Sequence, residues 1–588
     1  MRSDVAQSAP TASAPPESAT STEPATPATP GSSSLLDRSA NMIVGVAAVV
    51  AAALLLYVGR RSSFFWDEWW FIVRRRDAAL DDFFRPWNGH LIAIPVAIYK
   101  ALFALFGLRH YLPYRVVLTA LHVGTCVLLF AYLRRRVIVA YALATTIVVL
   151  FLGVAWEDLL WPFQITFVLS LAGGIGALFL LDRGHRRADV GAMLALGVSL
   201  LSAGLGLLFA GGLLVELLWS RRDRRRLWVV LVPLALYGVW YVLDSTPSGA
   251  LSEFQYFEPF TTTLVGETGR ALFGTSIGLG QVLVIAFYVL AVVQAVRTWP
   301  VSGRFVNALA LPVAFWALVT YSRGEFPVGS RYLHPGAIFL VLAGAEVLRT
   351  FEVPRRVPRA AVVVGSVALV LLVGNTVAVN VDALRGGAHD LRVFADSDRT
   401  RLSALVYVAD RADPRAAAFP TVNPLRVGPT LAALDDLDYP VYSRAELLRQ
   451  PEHARRTADG TLWDALGGAD STPGTLASAG TTLPVVALTG TVTLTSGPCA
   501  TVTPQAGATR ATVTADEVRV RVEAGDAPVN VTARSIAQGF GPIANWSIPP
   551  TATVPPDSTR DFVVRATGIR PWHLRLSSDA AFRACALG

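Results

Sequence analysis

The strongest constraint on this chain is a succession of apolar runs, each close to bilayer-spanning length. Residues 41–57, 113–133, 137–154, 163–181, 227–243, 271–296, 305–321, 331–349 and 360–379 form such runs, and a helix rising 1.5 Å per residue needs about 20 residues to cross a core of about 30 Å. In lipid only a helix or a closed barrel satisfies its own backbone. The expected fold class is therefore a polytopic α-helical membrane protein of about eleven transmembrane helices. Composition excludes a fully soluble chain: 53% of residues are AVILMFWYC and 16% are charged, against about 25% charged in soluble domains. The formal net charge of +8 comes from short clusters between apolar runs, such as Arg134–Arg136 and Arg221–Arg226. That pattern orients a membrane protein and does not suggest nucleic-acid binding.

Residues 1–38, almost entirely Ser, Thr, Ala, Pro, Glu and Gly, cannot bury enough apolar surface to order themselves and are expected to form a disordered cytoplasmic tail. Two stretches are ambiguous: 91–107 either spans or lies along the outer surface, and 190–218 is either one tilted helix or a pair broken at Ser202-Ala203-Gly204. If 91–107 lies flat and 190–218 is a pair, the basic clusters at 134–136, 183–187, 221–226, 297–304 and 355–359 all face the cytoplasm. The positive-inside rule favours that scheme, with an odd number of spans and the C-terminus outside.

A membrane domain over 39–380, with a first outer loop at 60–112, is followed by an extracytoplasmic linker and α/β region at 381–483 and a β-sandwich at 484–588. The sandwich is read from alternating segments such as Val518-Arg519-Val520-Arg521-Val522 between Pro/Gly turns. Cys499 and Cys585, near its two ends, are expected to form a disulfide joining its first and last strands, while Cys126 sits within a span. No Cys/His spacing fits a metal site. The C-terminal domain carries no paired acids among aromatics, so it is expected to serve recognition, and the membrane part should keep donor turnover after truncation near residue 385.

Three constellations could carry chemistry. The first outer loop holds Asp67 and Glu68 among five aromatics, then Trp87-Asn88-Gly89-His90. Acids held at a membrane boundary are costly, and a partly desolvated carboxylate suits proton abstraction from a hydroxyl. An aromatic belt with two solvated acids is the plainer alternative. The second is Trp156-Glu157-Asp158-Leu159-Leu160-Trp161-Pro162-Phe163-Gln164, which could equally be a turn capping the next helix. The third joins Arg323 to Ser330-Arg331-Tyr332. Guanidinium forks at an outer boundary suit a phosphate, or equally an acid such as Glu325 or a lipid headgroup. Among histidines, His90 and His334 are site candidates and His122 is a core residue. Candidate substrate or phosphate ligands are thus Asn88, His90, Glu157, Asp158, Gln164, Arg323, Arg331 and Tyr332.

These blocks resemble the GT-C class of polytopic membrane glycosyltransferases, which includes protein O-mannosyltransferases, aminoarabinose transferases and actinobacterial arabinosyltransferases. The resemblance rests on Asp67-Glu68, Arg85-Pro86-Trp87-Asn88-Gly89-His90, the 156–164 block and Ser330-Arg331-Tyr332, and covers about 41–350. It is nearer still to bacterial membrane proteins with an Asn-Glu-His-Arg block in the first loop, of which this chain keeps the Asn and His but not the Glu and Arg. It implies a multi-pass protein of the bacterial plasma membrane. Such a protein transfers a sugar from a polyprenyl-phosphate carrier to a glycan, lipid or protein acceptor of the cell envelope. The resemblance further implies Asp67 as base, Glu68 as supporting acid or substrate ligand, and Arg331 with Arg323 near the lipid phosphate. In this class the first-loop acid acts as base or binds a divalent cation. A flippase for lipid-linked saccharide and a glycan-binding scaffold are the competing functions. The former should show internal repeats and midplane charges, which the sequence lacks.

Overall fold

The computed structural model describes residues 35–588 except 78, 221–222, 245–253, 352–357, 420–423, 469–473, 479–482, 495–496, 504–508 and 538–550. Most of the expected N-terminal tail lies outside the described residues. The chain is a multi-pass α-helical membrane protein with a C-terminal β domain. Among the described residues seven helices are long and apolar enough to cross a membrane, and shorter apolar helices lie among them at Ala93–Phe106, Leu205–Trp219 and Trp228–Asp244.

Both ambiguous stretches are resolved by contacts. The 190–218 region is a pair, Arg186–Leu200 and Leu205–Trp219, reversing at 201–204. The helix Ala93–Phe106 does not cross: the Ile94 amide donates to Leu201 O in that reversal, and just past its other end Leu108 N donates to Leu437 O in the C-terminal region. Both ends are therefore pinned to one side of the bundle. The apolar run 271–296 is interrupted at Gly274, φ +63°, where Phe257–Phe273 ends before Ile277–Arg297 begins.

A charge network closes the opposite side. Arg136 meets Asp182 at 2.7 Å and Glu346 at 2.5 Å, and Arg304 pairs with both Asp182 and Glu216. Buried acids without partners would be expelled, so each carboxylate is matched by an arginine from another helix. The basic clusters at 134–136, 183–187 and 297–304 therefore gather at one end, in the arrangement favoured by the first topology scheme.

The helix Arg359–Tyr407 runs 49 residues without a break across Asn380. Val362–Val364, Val367 and Val370–Leu372 near its start are exposed on the bundle surface, while its far half packs against Glu452–Ala465 in the C-terminal region. Beyond it stand two five-stranded antiparallel sheets. One is ordered Thr559–Val564, Val518–Ala524, Phe582–Ala586, Cys499–Thr503, Thr491–Leu494; the other Val485–Thr489, Thr509–Ala515, Trp572–Ser578, Val529–Arg534, Ala552–Val554. Val518, Val520 and Val522 are buried while Arg519 and Arg521 point out, as period-two alternation requires. Cys499 and Cys585 are disulfide-bonded directly across neighbouring strands. The bond joins the last described strand of the two sheets to the third, so it does not link the first strand to the last.

Candidate active site

The first loop returns to the bundle as the helix Asp67–Arg75, entered through Trp66 at φ +51°. Successive residues on a helix diverge by about 100°, so the adjacent acids face different surroundings. Glu68 is fully buried: Oε1 accepts from Tyr99 Oη at 2.7 Å, and Oε2 from Tyr111 Oη at 2.8 Å and Phe65 N at 3.3 Å. Burial pushes its carboxyl up to about 8, despite the hydrogen bonds that pull the other way. Expected as supporting acid or substrate ligand, Glu68 instead points into the protein with every oxygen engaged.

Asp67 points the other way. It is half-buried and, among the described residues, has no hydrogen bond or ion pair. Burial raises it to about 6, opposed by the nearby charges of Arg331 and Arg323 and reinforced by Glu157. Arg323 ends the helix Gly303–Arg323 and is likewise unpaired among the described residues. Its charge also bears on His90, whose ring pKa is lowered by burial and by Arg323. His90 is set by a tight hairpin: Trp87 and His90 exchange both backbone hydrogen bonds at 2.9 Å, and Asn88 and Gly89 have φ of +47° and +76°. Asn-Gly is the preferred pair for such a type I′ turn. Asn88 is exposed at its tip, so the turn alone accounts for its identity. The His90 ring lies against Gly204 in the reversal between helices.

Arg331 is held by Glu157. Its Nη1 donates to Oε1 at 2.9 Å, while its backbone N at 2.9 Å and Ser330 Oγ at 3.0 Å donate to Oε2; Ser330 Oγ in turn accepts from Glu157 N at 3.1 Å. The guanidinium carbon sits 5.1 Å from the Tyr332 ring centre. Glu157 therefore acts as the arginine's clamp, with both oxygens taken. Asp158 next to it is fully buried and neither of its oxygens has a partner among the described residues. Gln164 is buried in the short 3₁₀ turn Pro162–Gln164. His334 is buried against His122, ring centres 5.2 Å apart, so it belongs to the interior of the bundle.

The sequence reading missed the outer support of the loop. Asp398 Oδ2 accepts from Trp66 N at 3.3 Å, Phe394 lies parallel to Trp66, and Trp69 packs between Phe419 and Tyr439 at 6.1 and 5.0 Å. Arg76 pairs with Asp436 at 2.7 Å. These partners lie more than 300 residues along the chain, where no local pattern marks them. They also argue against a membrane part that works without the residues beyond 385.

A divalent cation finds no cage here. Among the described residues no three His, Cys, Asp or Glu side chains are grouped to hold a metal. The charges bearing most on Asp67 are guanidiniums, and Glu157 is fully engaged. The donor set does not fit a divalent cation.

No family model and no curated protein matches this chain. Solved structures do, at low identity. ArnT from Cupriavidus metallidurans, in a crystal structure bound to undecaprenyl phosphate, is 17% identical, with 68% of this chain and 85% of that one covered and a TM-score of 0.43. The arabinosyltransferase EmbB from Mycobacterium smegmatis is 12% identical, with 93% and 64% covered and a TM-score of 0.32. The mycobacterial arabinofuranosyltransferase AftD is 12% identical, with 93% and 57% covered and a TM-score of 0.37.

Proposed function

We propose that this chain is a membrane glycosyltransferase that moves a sugar from a polyprenyl-phosphate carrier to a cell-envelope acceptor, with Asp67 as base. The site end of the bundle then faces the extracytoplasmic side of a bacterial plasma membrane. The observation that carries the reading is the Asp67 carboxylate and the Arg323 guanidinium, each without a partner among the described residues, beside a second arginine, Arg331, locked in place by Glu157. Glu157 balances Arg331, so the two arginines and two acids carry no net charge, but Arg323 and the Arg331 donors that Glu157 leaves unused can fork onto an anion, and a phosphate presents oxygens that match them.

The chemistry follows. The acceptor hydroxyl gives its proton to Asp67 as its oxygen bonds to the anomeric carbon. The bond from that carbon to the phosphate oxygen breaks, and the electron pair leaves with the phosphate. Arg323 and Arg331 stabilise the charge that grows there. A base whose carboxyl is raised to about 6 is ionised at neutral pH yet stronger than an ordinary aspartate.

The test uses full-length protein in nanodiscs with undecaprenyl phosphate, and undecaprenyl-phosphate-linked arabinose, mannose and glucose as donors. Wild type should bind the lipid phosphate and turn over one donor, Arg331→Ala should lose binding, and Asp67→Asn should bind but not turn over. Unchanged binding in Arg331→Ala, or unchanged turnover in Asp67→Asn, refutes the assignment.

A further inference from the structure

Trp66 stands apart from its neighbours. Phe64, Phe65, Trp69 and Trp70 are all buried, yet the Trp66 side chain is 53% exposed. Its backbone occupies the left-handed region at φ +51°, which a bulky residue enters only when its surroundings impose it. Those surroundings are on the page. Asp398 accepts from its amide, and Phe394 lies parallel to its ring at 6° with centres 6.4 Å apart. Phe65 backs Phe394 at 10° and 6.2 Å, and Trp161 flanks Trp66 at 6.3 Å. The fold thus holds a broad ring in the open in one orientation, one residue before Asp67.

Height above the bilayer separates two uses for such a ring. The Arg359–Tyr407 helix serves as a ruler. Along it, Gly387 touches Trp156 beside the Glu157–Arg331 clamp, and Phe394 meets Trp66. At 1.5 Å per residue along this helix, Trp66 lies about 10 Å further out than the clamp, where the lipid phosphate is proposed to sit. The headgroup layer adds only about 5–8 Å to each side of the hydrocarbon. A lipid anchor would sit lower, so the ring faces water on the acceptor's side of Asp67.

We infer that Trp66, backed by Phe394, is a stacking platform for a sugar ring of the acceptor, which is therefore a carbohydrate chain. The C–H face of a pyranose or furanose is apolar and slightly positive, and it complements the negative face of an indole. Such a contact orients the acceptor while leaving its hydroxyls free for Asp67. This inference rests on the glycosyltransferase reading and narrows its acceptor to glycan.

The test measures binding, so it does not depend on knowing the donor. Full-length protein in nanodiscs is titrated with arabinan and mannan oligosaccharides, read by saturation-transfer NMR, and separately with undecaprenyl phosphate. Wild type and Trp66→Phe should bind one of the two oligosaccharides. Trp66→Gly, which adopts positive φ without strain, should bind it at least tenfold more weakly, with lipid-phosphate binding unchanged. Should the glycine variant be unfolded by thermal denaturation, Trp66→Asn, also tolerant of positive φ, replaces it. Equal sugar binding by the ring-less variant overturns the platform, as does failure of wild type to bind either oligosaccharide. Quenching by brominated lipid that is weaker in Trp66→Phe than in wild type would place the ring in the bilayer and overturn it too. Loss of undecaprenyl-phosphate binding in every variant, with Trp66-dependent sugar binding intact, would sink the donor reading and leave the platform standing.

Discussion

Glu68→Gln should separate the two adjacent acids. Glu68 is fully buried between Tyr99 and Tyr111, and its carboxyl is raised from 4.5 to about 8. Because the folded form holds its proton where the unfolded chain has released it, stability falls as pH rises from about 4.5 to about 8. At 1.36 kcal/mol per unit, the cost across that window reaches about 5 kcal/mol. Glutamine reproduces the protonated acid, with one oxygen accepting from one tyrosine and its amide donating to the other. The variant should therefore match wild type in denaturant unfolding near pH 5 and surpass it near pH 8, while transfer stays within a few-fold of wild type. The assay is paired unfolding and turnover at both pH values. A folded Glu68→Gln protein that is inactive at every pH would show that the negative charge itself takes part in the reaction. Absence of a pH-dependent stability gap would show that Glu68 is ionised in place.

Asp67→Asn should cost about 10²–10⁴ in rate, as loss of a general base does, and wild-type kcat/KM should climb as pH rises through about 6 and then level; a flat profile from pH 5 to 8 would count against Asp67. Glu157→Gln should weaken lipid-phosphate binding by freeing the Arg331 guanidinium from its fixed geometry, with Glu157→Asp recovering little because it is one methylene too short; undiminished binding would refute the clamp. Replacing Cys499 and Cys585 with alanine opens a separation of 86 residues and should lower β-domain stability by about 4–5 kcal/mol in the chain-entropy model, measured by proteolysis, with turnover preserved. In a cysteine-free background, labels at exposed positions 109 and 225 should react from opposite sides of the membrane, and labelling of both from one side would overturn the helix arrangement.

Much of this architecture was legible in order along the sequence because membrane solvation writes itself locally: apolar length gives spans and Arg clusters give one end. Period-two alternation gave the β domain for the same reason, since Val518, Val520 and Val522 must face a core whatever lies opposite. The adjacency of Asp67 and Glu68, by contrast, suggested a pair, and only the helical turn of about 100° between them gives one a tyrosine cage and the other an opening. The Glu157–Arg331 clamp joins positions 174 residues apart. Each half was visible, but the ion pair that turns Glu157 from a ligand candidate into a support was not. Asn88 was read as a ligand where the backbone needed a left-handed residue.

The C-terminal region bears on the chemistry as well as on recognition. Asp67 owes its aim to the helix it begins, and that helix is held from both sides: inside by Glu68 on Tyr99 and Tyr111, outside by Trp69 on Phe419 and Tyr439 and by Arg76 on Asp436. Arg401 ties the outer contacts together, 3.6 Å from Asp398 and with its guanidinium carbon 4.7 Å from the Phe419 ring centre. Aromatic pairs contribute about 0.5–1.5 kcal/mol each beyond their burial, and truncating a buried Phe typically costs about 3–5 kcal/mol. Phe419→Ala should thus loosen the loop helix and lower kcat, leaving undecaprenyl-phosphate affinity, set by Arg331 on the bundle, nearly unchanged. Truncation near residue 385 removes Phe394, Asp398, Phe419, Asp436 and Tyr439 together, and should abolish donor turnover even where the membrane helices still fold. A truncated protein that folds and still hydrolyses donor would mean that the loop aims Asp67 unaided, and the outer contacts would then serve only to hold the two regions together.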